Sequence, residues 1–170
     1  MKLRTTRTGR IVVAVVAVAA ALFGGVATAA ADPRDLPDTK LTPGAVATES
    51  VPLVCRAGYA RSVRPKGALW RKLKDEAYDR YGLPRGHRSE IDAAGHRHAA
   101  FAIDHLIPIE LGGAPTDLRN LWPQPRIAAK HKDEVENELH EFVCDGRIRL
   151  ETAQHAIARN WKSAVADALR

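Results

Sequence analysis

Residues 101–123 read Phe-Ala-Ile-Asp-His-Leu-Ile-Pro-Ile-Glu-Leu-Gly-Gly-Ala-Pro-Thr-Asp-Leu-Arg-Asn-Leu-Trp-Pro, and the reading of the whole chain turns on them. Phe101 and Ile103 supply the aromatic and β-branched residues of a short strand that runs straight into an acid and an imidazole, Asp104 and His105. Pro108 and the Gly112-Gly113 pair break that strand and turn the chain back. Asn120 opens the returning segment, and a helical pattern starts just beyond Pro125. Side chains alternate sides along a strand, so Asp104 and His105 are expected to face opposite ways if the strand persists that far.

Upstream, residues 66–81 have helical periodicity: Trp70, Leu73, Ala77, Tyr78 and Tyr81 share one face, with Pro65 before the start and Gly82 at the stop. The opposite face carries Arg71, Lys72, Lys74, Asp75 and Arg80, which suits either plain solvation or phosphate contact. Downstream, a second helix is expected over 128–143, with Ala128, His131, Val135, Leu139 and Phe142 inward and Gly146 as the stop. A third is expected over 151–169, with Ala153, Ile157, Trp161, Val165 and Ala168 inward, packed back against the second. Between the first helix and the strand, residues 84–97 form a Gly-, His- and Arg-rich loop. Its histidines, with His98 just beyond (His87, His96, His98), have no common ligand spacing. Ser62, Ser89 and Ser163 show no nucleophile signature, which argues against a Ser-His-Asp hydrolase.

The N-terminus has the layout of an export signal: Lys2, Arg4, Arg7 and Arg10, an apolar run over 11–26, then Ala27-Thr28-Ala29-Ala30-Ala31. Cleavage after residue 31 is expected, leaving a secreted, extracellular protein; the rival is an uncleaved anchor. The net charge of +6 then loses the four basic residues of that segment, so overall charge argues little about a polyanionic partner. What remains is asymmetry, with eleven Lys or Arg against five Asp or Glu between Cys55 and His98. Residues 32–50 hold Pro33, Pro37, Pro43 and Gly44 with no apolar period, and are expected to be an extended, partly mobile lead-in to a domain over 51–170. Cys55 and Cys144 are the only cysteines, and in an oxidising compartment a disulfide between them is expected.

Two separated motifs, Asp-His-Leu-Ile-Pro-Ile-Glu-Leu-Gly-Gly at 104–113 and Asn-Leu-Trp-Pro at 120–123, resemble those of HNH nucleases, the His-centred one-metal endonucleases. The likeness is to the small secreted bacterial members in particular. The resemblance implies an α+β fold, a small, mostly helical domain around a ββα metal finger. It implies hydrolysis of phosphodiester bonds in DNA, with RNA as an alternative substrate, and a divalent ion, Mg²⁺ first and Mn²⁺ or Zn²⁺ as alternatives.

By the same resemblance, His105 takes a proton from the attacking water, Asp104 binds the metal, and Asn120 ties the two strands together or orients the histidine. A plain turn-forming role for Asn120 stays open. The chain departs from the pattern at Ala128, where such proteins offer an Asn or His. His131, three residues on, is then the candidate second ligand, or a half-buried packing residue. Arg119, Arg126 and Lys130 flank the finger as candidate phosphate contacts or plain surface charges. A different class of function also fits: an exported binding or envelope-associated module that keeps a degenerate finger for structure.

Overall fold

The computed structural model describes residues 35–83, 89–91, 95 and 97–170. The expected signal segment lies outside them, as do His87, His96 and the side chain of His98. The chain divides into the segment Met1–Ala30 and a compact unit Ala31–Arg170. In the latter, helix dominates: α1 (Val51–Val54), α2 (Tyr59–Val63), α3 (Gly67–Arg80), α4 (Arg126–Cys144), α5 (Leu150–Asn160) and α6 (Ala164–Ala168). Among the described residues, four strands form two antiparallel pairs, β1 (Ser89–Ile91) with β2 (Arg97–Ala99), and β3 (Phe101–His105) with β4 (Leu121–Pro125). This is the small, mostly helical α+β domain expected from the sequence.

The β3–β4 hairpin and α4 form a ββα unit. In register, Asp104 lies opposite Trp122 and His105 opposite Leu121, so the acid-imidazole pair sits at the closed end of the hairpin. The loop between the strands folds back through two 3₁₀ turns, Ile109–Leu111 and Leu118–Asn120. Its Gly-Gly pair is dictated by space. Gly112 has φ +80°, and a Cβ there would strike the Thr48 carbonyl, while one on Gly113 would strike the Ile107 carbonyl.

Helix α3 docks across the hairpin through Leu73, Ala77 and Tyr78, the last donating from its hydroxyl to the Phe101 carbonyl at 3.2 Å. Trp70 and Tyr81, expected inward, are only half-buried at the edges of this face. On α4 the inward residues are Ala128, Lys132, Leu139, Phe142 and Val143. The stripe expected through His131 therefore runs through Lys132 instead. Four residues after Ala128 a 3.6-residue helix comes back to the same side, and His131 is left exposed.

The expected third helix is broken in two by a 3₁₀ turn at Trp161–Ser163, where the Asn160 side chain accepts from the Lys162 amide and caps the turn. Ala153, Ile157, Trp161 and Ala168 are buried as expected, while Val165 is half-buried. Leu111, Leu139, Ala153, Ile157 and Ala164 form the dry centre of the main core. Full burial of each leucine or isoleucine there is worth about 1.5–3 kcal/mol.

The segment 35–50 is extended, yet its described part is held along the body rather than loose. Gly44 donates to the Arg119 carbonyl (3.0 Å) and Ala47 to the Gly112 carbonyl (2.8 Å). The buried Thr42 donates to the Leu121 carbonyl, and Trp161 donates to the Asp35 carbonyl at 2.7 Å. Low hydrophobicity hid this, because the strap is fixed through backbone groups rather than apolar side chains. Cys55 and Cys144 are joined in a disulfide with Cα atoms 5.6 Å apart, tying the end of α1 to the end of α4. Among the described residues, no helix is long and apolar enough to cross a membrane.

Candidate active site

Asn120 is the keystone of the hairpin loop. It is fully buried, and its amide makes four contacts. The Oδ1 atom accepts from the amides of Ile107 (2.9 Å) and Ala45 (3.4 Å). The Nδ2 group donates to the carbonyls of Ile107 (2.9 Å) and Ala114 (3.1 Å). One side chain thus joins the residues after β3, the far side of the Gly-Gly turn and the N-terminal strap. Only a planar amide, with its acceptor and donor side by side, satisfies both groups of Ile107 at once.

That loop presents the Pro115 carbonyl to His105, whose Nε2 lies 3.0 Å from it. A carbonyl oxygen can only accept, so Nε2 carries the proton and Nδ1 of the neutral ring is left as a proton acceptor. Trp70 of α3 stacks on the imidazole with ring centroids 5.9 Å apart and planes 5° from parallel. The ring is thereby held in one tautomer and one orientation. Burial pushes the imidazole below its ordinary range; the Pro115 hydrogen bond and the Asp104 charge oppose this, and Arg64 and Lys132 add to it. At neutral pH the ring is in its basic form.

Asp104 reaches α4, but not through His131. Its Oδ2 lies 3.0 Å from Nζ of Lys132, whose side chain is wholly buried. The same ammonium donates to the His105 carbonyl at 2.7 Å and to a carboxylate oxygen of Glu136 one turn further along. Burial pushes the Glu136 carboxyl up to about 8, with the Lys132 charge pulling the other way and Asp104 reinforcing the rise. A proton held on Glu136 leaves one anion, Asp104, beside one cation, Lys132. Lys132 stays charged: burial alone would lower its affinity for the proton, but the Asp104 charge and the hydrogen bond to Glu136 outweigh it. Glu110, in the first 3₁₀ turn, is half-buried, and burial raises its carboxyl as well.

The residues expected to hold a divalent ion do not fit one as they stand. Asp104 is committed to an ammonium 3.0 Å away, a neighbour that would repel a second cation. Ala128 is buried and apolar, and His131 is exposed. Among the described residues the one group of three that could converge on a metal is Cys55, His140 and Cys144, at the disulfide. Its two sulfurs are bonded to each other, and His140 Nε2 sits 3.4 Å from Cys144 Sγ and 3.2 Å from the Val54 carbonyl. With the disulfide closed, no thiolate is present to bind an ion.

Of the candidate phosphate contacts, Arg119 grips Asp117 through the Nε–Nη2 edge of its guanidinium within its own turn, which occupies that edge locally. Lys130 is exposed on α4. Arg126 lines a 410 Å³ groove along β3 with Trp70, Lys74, Asp75, Tyr78, Phe101 and Ile103, and Trp70 is also the ring stacked on His105. Three participants were missed in the sequence. The Pro115 carbonyl carries no sequence signal. Trp70 was read as part of an apolar packing stripe, without a link to His105. Lys132 did leave a trace, since Lys132 and Glu136 stand at i,i+4 on the buried side of an otherwise amphipathic helix. No family model matches this chain, and neither a curated protein nor a solved structure does.

Proposed function

We propose that the domain is an exported endonuclease of the HNH-like kind, hydrolysing phosphodiester bonds of DNA with His105 as the general base. The observation that carries the reading is the His105–Pro115 hydrogen bond, which holds the proton on Nε2 and leaves Nδ1 as the base. In this reading Nδ1 removes a proton from the attacking water as its oxygen bonds to phosphorus. The bond to the leaving oxygen breaks, and that oxygen takes a proton from solvent. The imidazolium formed is favoured by the carbonyl accepting from Nε2–H. Asn120 is a positioning residue, since it shapes the loop that presents that carbonyl. The nucleic-acid backbone follows the groove of Trp70, Lys74 and Arg126, whose charges suit phosphates and whose indole suits an unstacked base. RNA is the alternative substrate. The disulfide is compatible with a compartment outside the cytoplasm, and the signal-like segment at 1–31 supports secretion.

A second reading is favoured by the Asp104–Lys132 ion pair: a non-catalytic exported binding module in which the finger serves only as structure. Plasmid nicking separates the two. The purified protein is incubated with supercoiled DNA in Mg²⁺, Mn²⁺, Zn²⁺ or EDTA, beside His105→Ala. Nicking that collapses in the variant supports the nuclease. Intact plasmid under every condition, with DNA retained in a filter-binding assay, supports the module.

A further inference from the structure

We infer that Lys132 is the resident cation of the ββα finger, its ammonium standing where a divalent ion would otherwise join the hairpin to the helix. The assignment goes beyond the catalytic reading and holds whether or not the domain cuts nucleic acid. An ammonium has three protons, and Lys132 meets three acceptors: Asp104 Oδ2 and the His105 carbonyl from the end of β3, and Glu136 from α4. A lysine without exposed side-chain surface persists only when its charge is answered in this way. Its stem rises from the inward face of α4, one turn beyond the buried Ala128, so the small residue and the long one occupy consecutive positions on the same stripe.

The acceptors themselves point to the replaced ion. Two carboxyl groups and a backbone carbonyl are the hard oxygen donors that divalent cations such as Ca²⁺, Mg²⁺ and Mn²⁺ take. They already surround one point, the lysine nitrogen. Metal–oxygen distances of about 2.0–2.6 Å would need the Asp104 oxygen and the His105 carbonyl to close in by roughly half an ångström. The finger is therefore built as a cation site whose cation is covalently part of the chain. It needs no metal to fold, and it disfavours one while Lys132 is present. Shortening Lys132 to alanine vacates the point and leaves the oxygens behind, which should uncover a divalent site.

The test reads stability and ion binding, so it is independent of nicking. Intact wild-type protein is melted in EDTA and in 5 mM CaCl₂, MgCl₂ or MnCl₂ (concentrations of about this order saturate a millimolar site). Its melting temperature should be unchanged, and calorimetric titration with Mn²⁺ should show no saturable heat. Lys132→Ala should melt lower in EDTA and recover by about 5 °C or more with Mn²⁺ or Ca²⁺. The double variant Lys132→Ala/Asp104→Asn should lose that recovery. If Lys132→Ala fails to fold in EDTA, refolding it with and without Mn²⁺ serves the same purpose, with structure returning only in the ion. The inference is overturned by wild-type protein that binds a divalent ion at one site abolished by Asp104→Asn. It is equally overturned by a Lys132→Ala protein that no divalent ion stabilises or refolds.

Discussion

Replacing Asn120 by alanine is the most direct probe of how the hairpin loop is held. The side chain is fully buried, and the substitution removes four hydrogen bonds. Two of the groups left behind, the amide and carbonyl of Ile107, lose a partner in a region closed to water. An unmet buried polar group costs about 1–3 kcal/mol. The Ala45 and Ala114 groups are only partly buried and can recruit water, so they add less. The total is on the order of 3–5 kcal/mol, a large fraction of what a domain of this size possesses. For a unit of this length that corresponds to a fall in Tm of about 10–20 °C. Urea denaturation followed by tryptophan fluorescence and far-UV circular dichroism measures it. Asn120→Asp sharpens the result. It keeps the Oδ1 acceptor but sets a second oxygen against the two carbonyls, so it should destabilise as well. A fall in Tm of less than about 3 °C for Asn120→Ala would refute the reasoning, because the loop would then hold its shape without the amide.

His105→Ala should lower nicking by about 10²–10⁴-fold while the protein retains its helical signal, and undiminished cutting would end the general-base mechanism. Because burial holds the imidazole below its ordinary range, the limb over which kcat/KM rises with pH should be centred below the ordinary imidazole value of about 6.5; a limb centred well above that value would assign the base elsewhere. Glu136 binds its proton more tightly folded than unfolded, so its contribution to stability is complete below the unfolded value of 4.5 and is lost as pH rises through about 8. Urea midpoints of the wild type should therefore decline over that window, and Glu136→Gln should flatten the decline; parallel curves would contradict the raised carboxyl. Exchanging both Cys55 and Cys144 for serine opens an 89-residue closure and should cost about 2–4 kcal/mol in chemical denaturation. An unchanged midpoint would mean that the bridge does not restrain the unfolded chain.

Much of the fold was legible in the residues because it depends on local chemistry. Helix α3 and helix α4 were bounded to within about two residues by their apolar spacing and by the flanking Pro and Gly. The hairpin was announced by Phe101 and Ile103 ahead of a Gly-Gly turn, and the disulfide by a lone pair of cysteines behind a signal-like segment. The position of Asn120 across the loop from Ile107 also follows from the order of motifs along the chain, although the four bonds it makes do not.

Other features were decided only by tertiary packing. The strap at 35–50 is apolar-poor and so resembles a free lead-in, yet backbone hydrogen bonds to Gly112 and Arg119 hold it down; such bonds leave no mark on side-chain pattern. The break at Trp161–Ser163 arises from a side-chain cap and a tryptophan tied to Asp35, 126 residues away in sequence. The partner of Asp104 turned on a rotation of one residue along α4. Sequence spacing allows either His131 or Lys132 to approach the hairpin, since neighbouring helical residues differ by only about 100°. Histidine is a familiar ligand and lysine a habitual surface residue, so the pattern alone favoured the former. What brings Lys132 inward is a place where Asp104, Glu136 and the His105 carbonyl converge, and that convergence exists only once β3 and α4 have packed together.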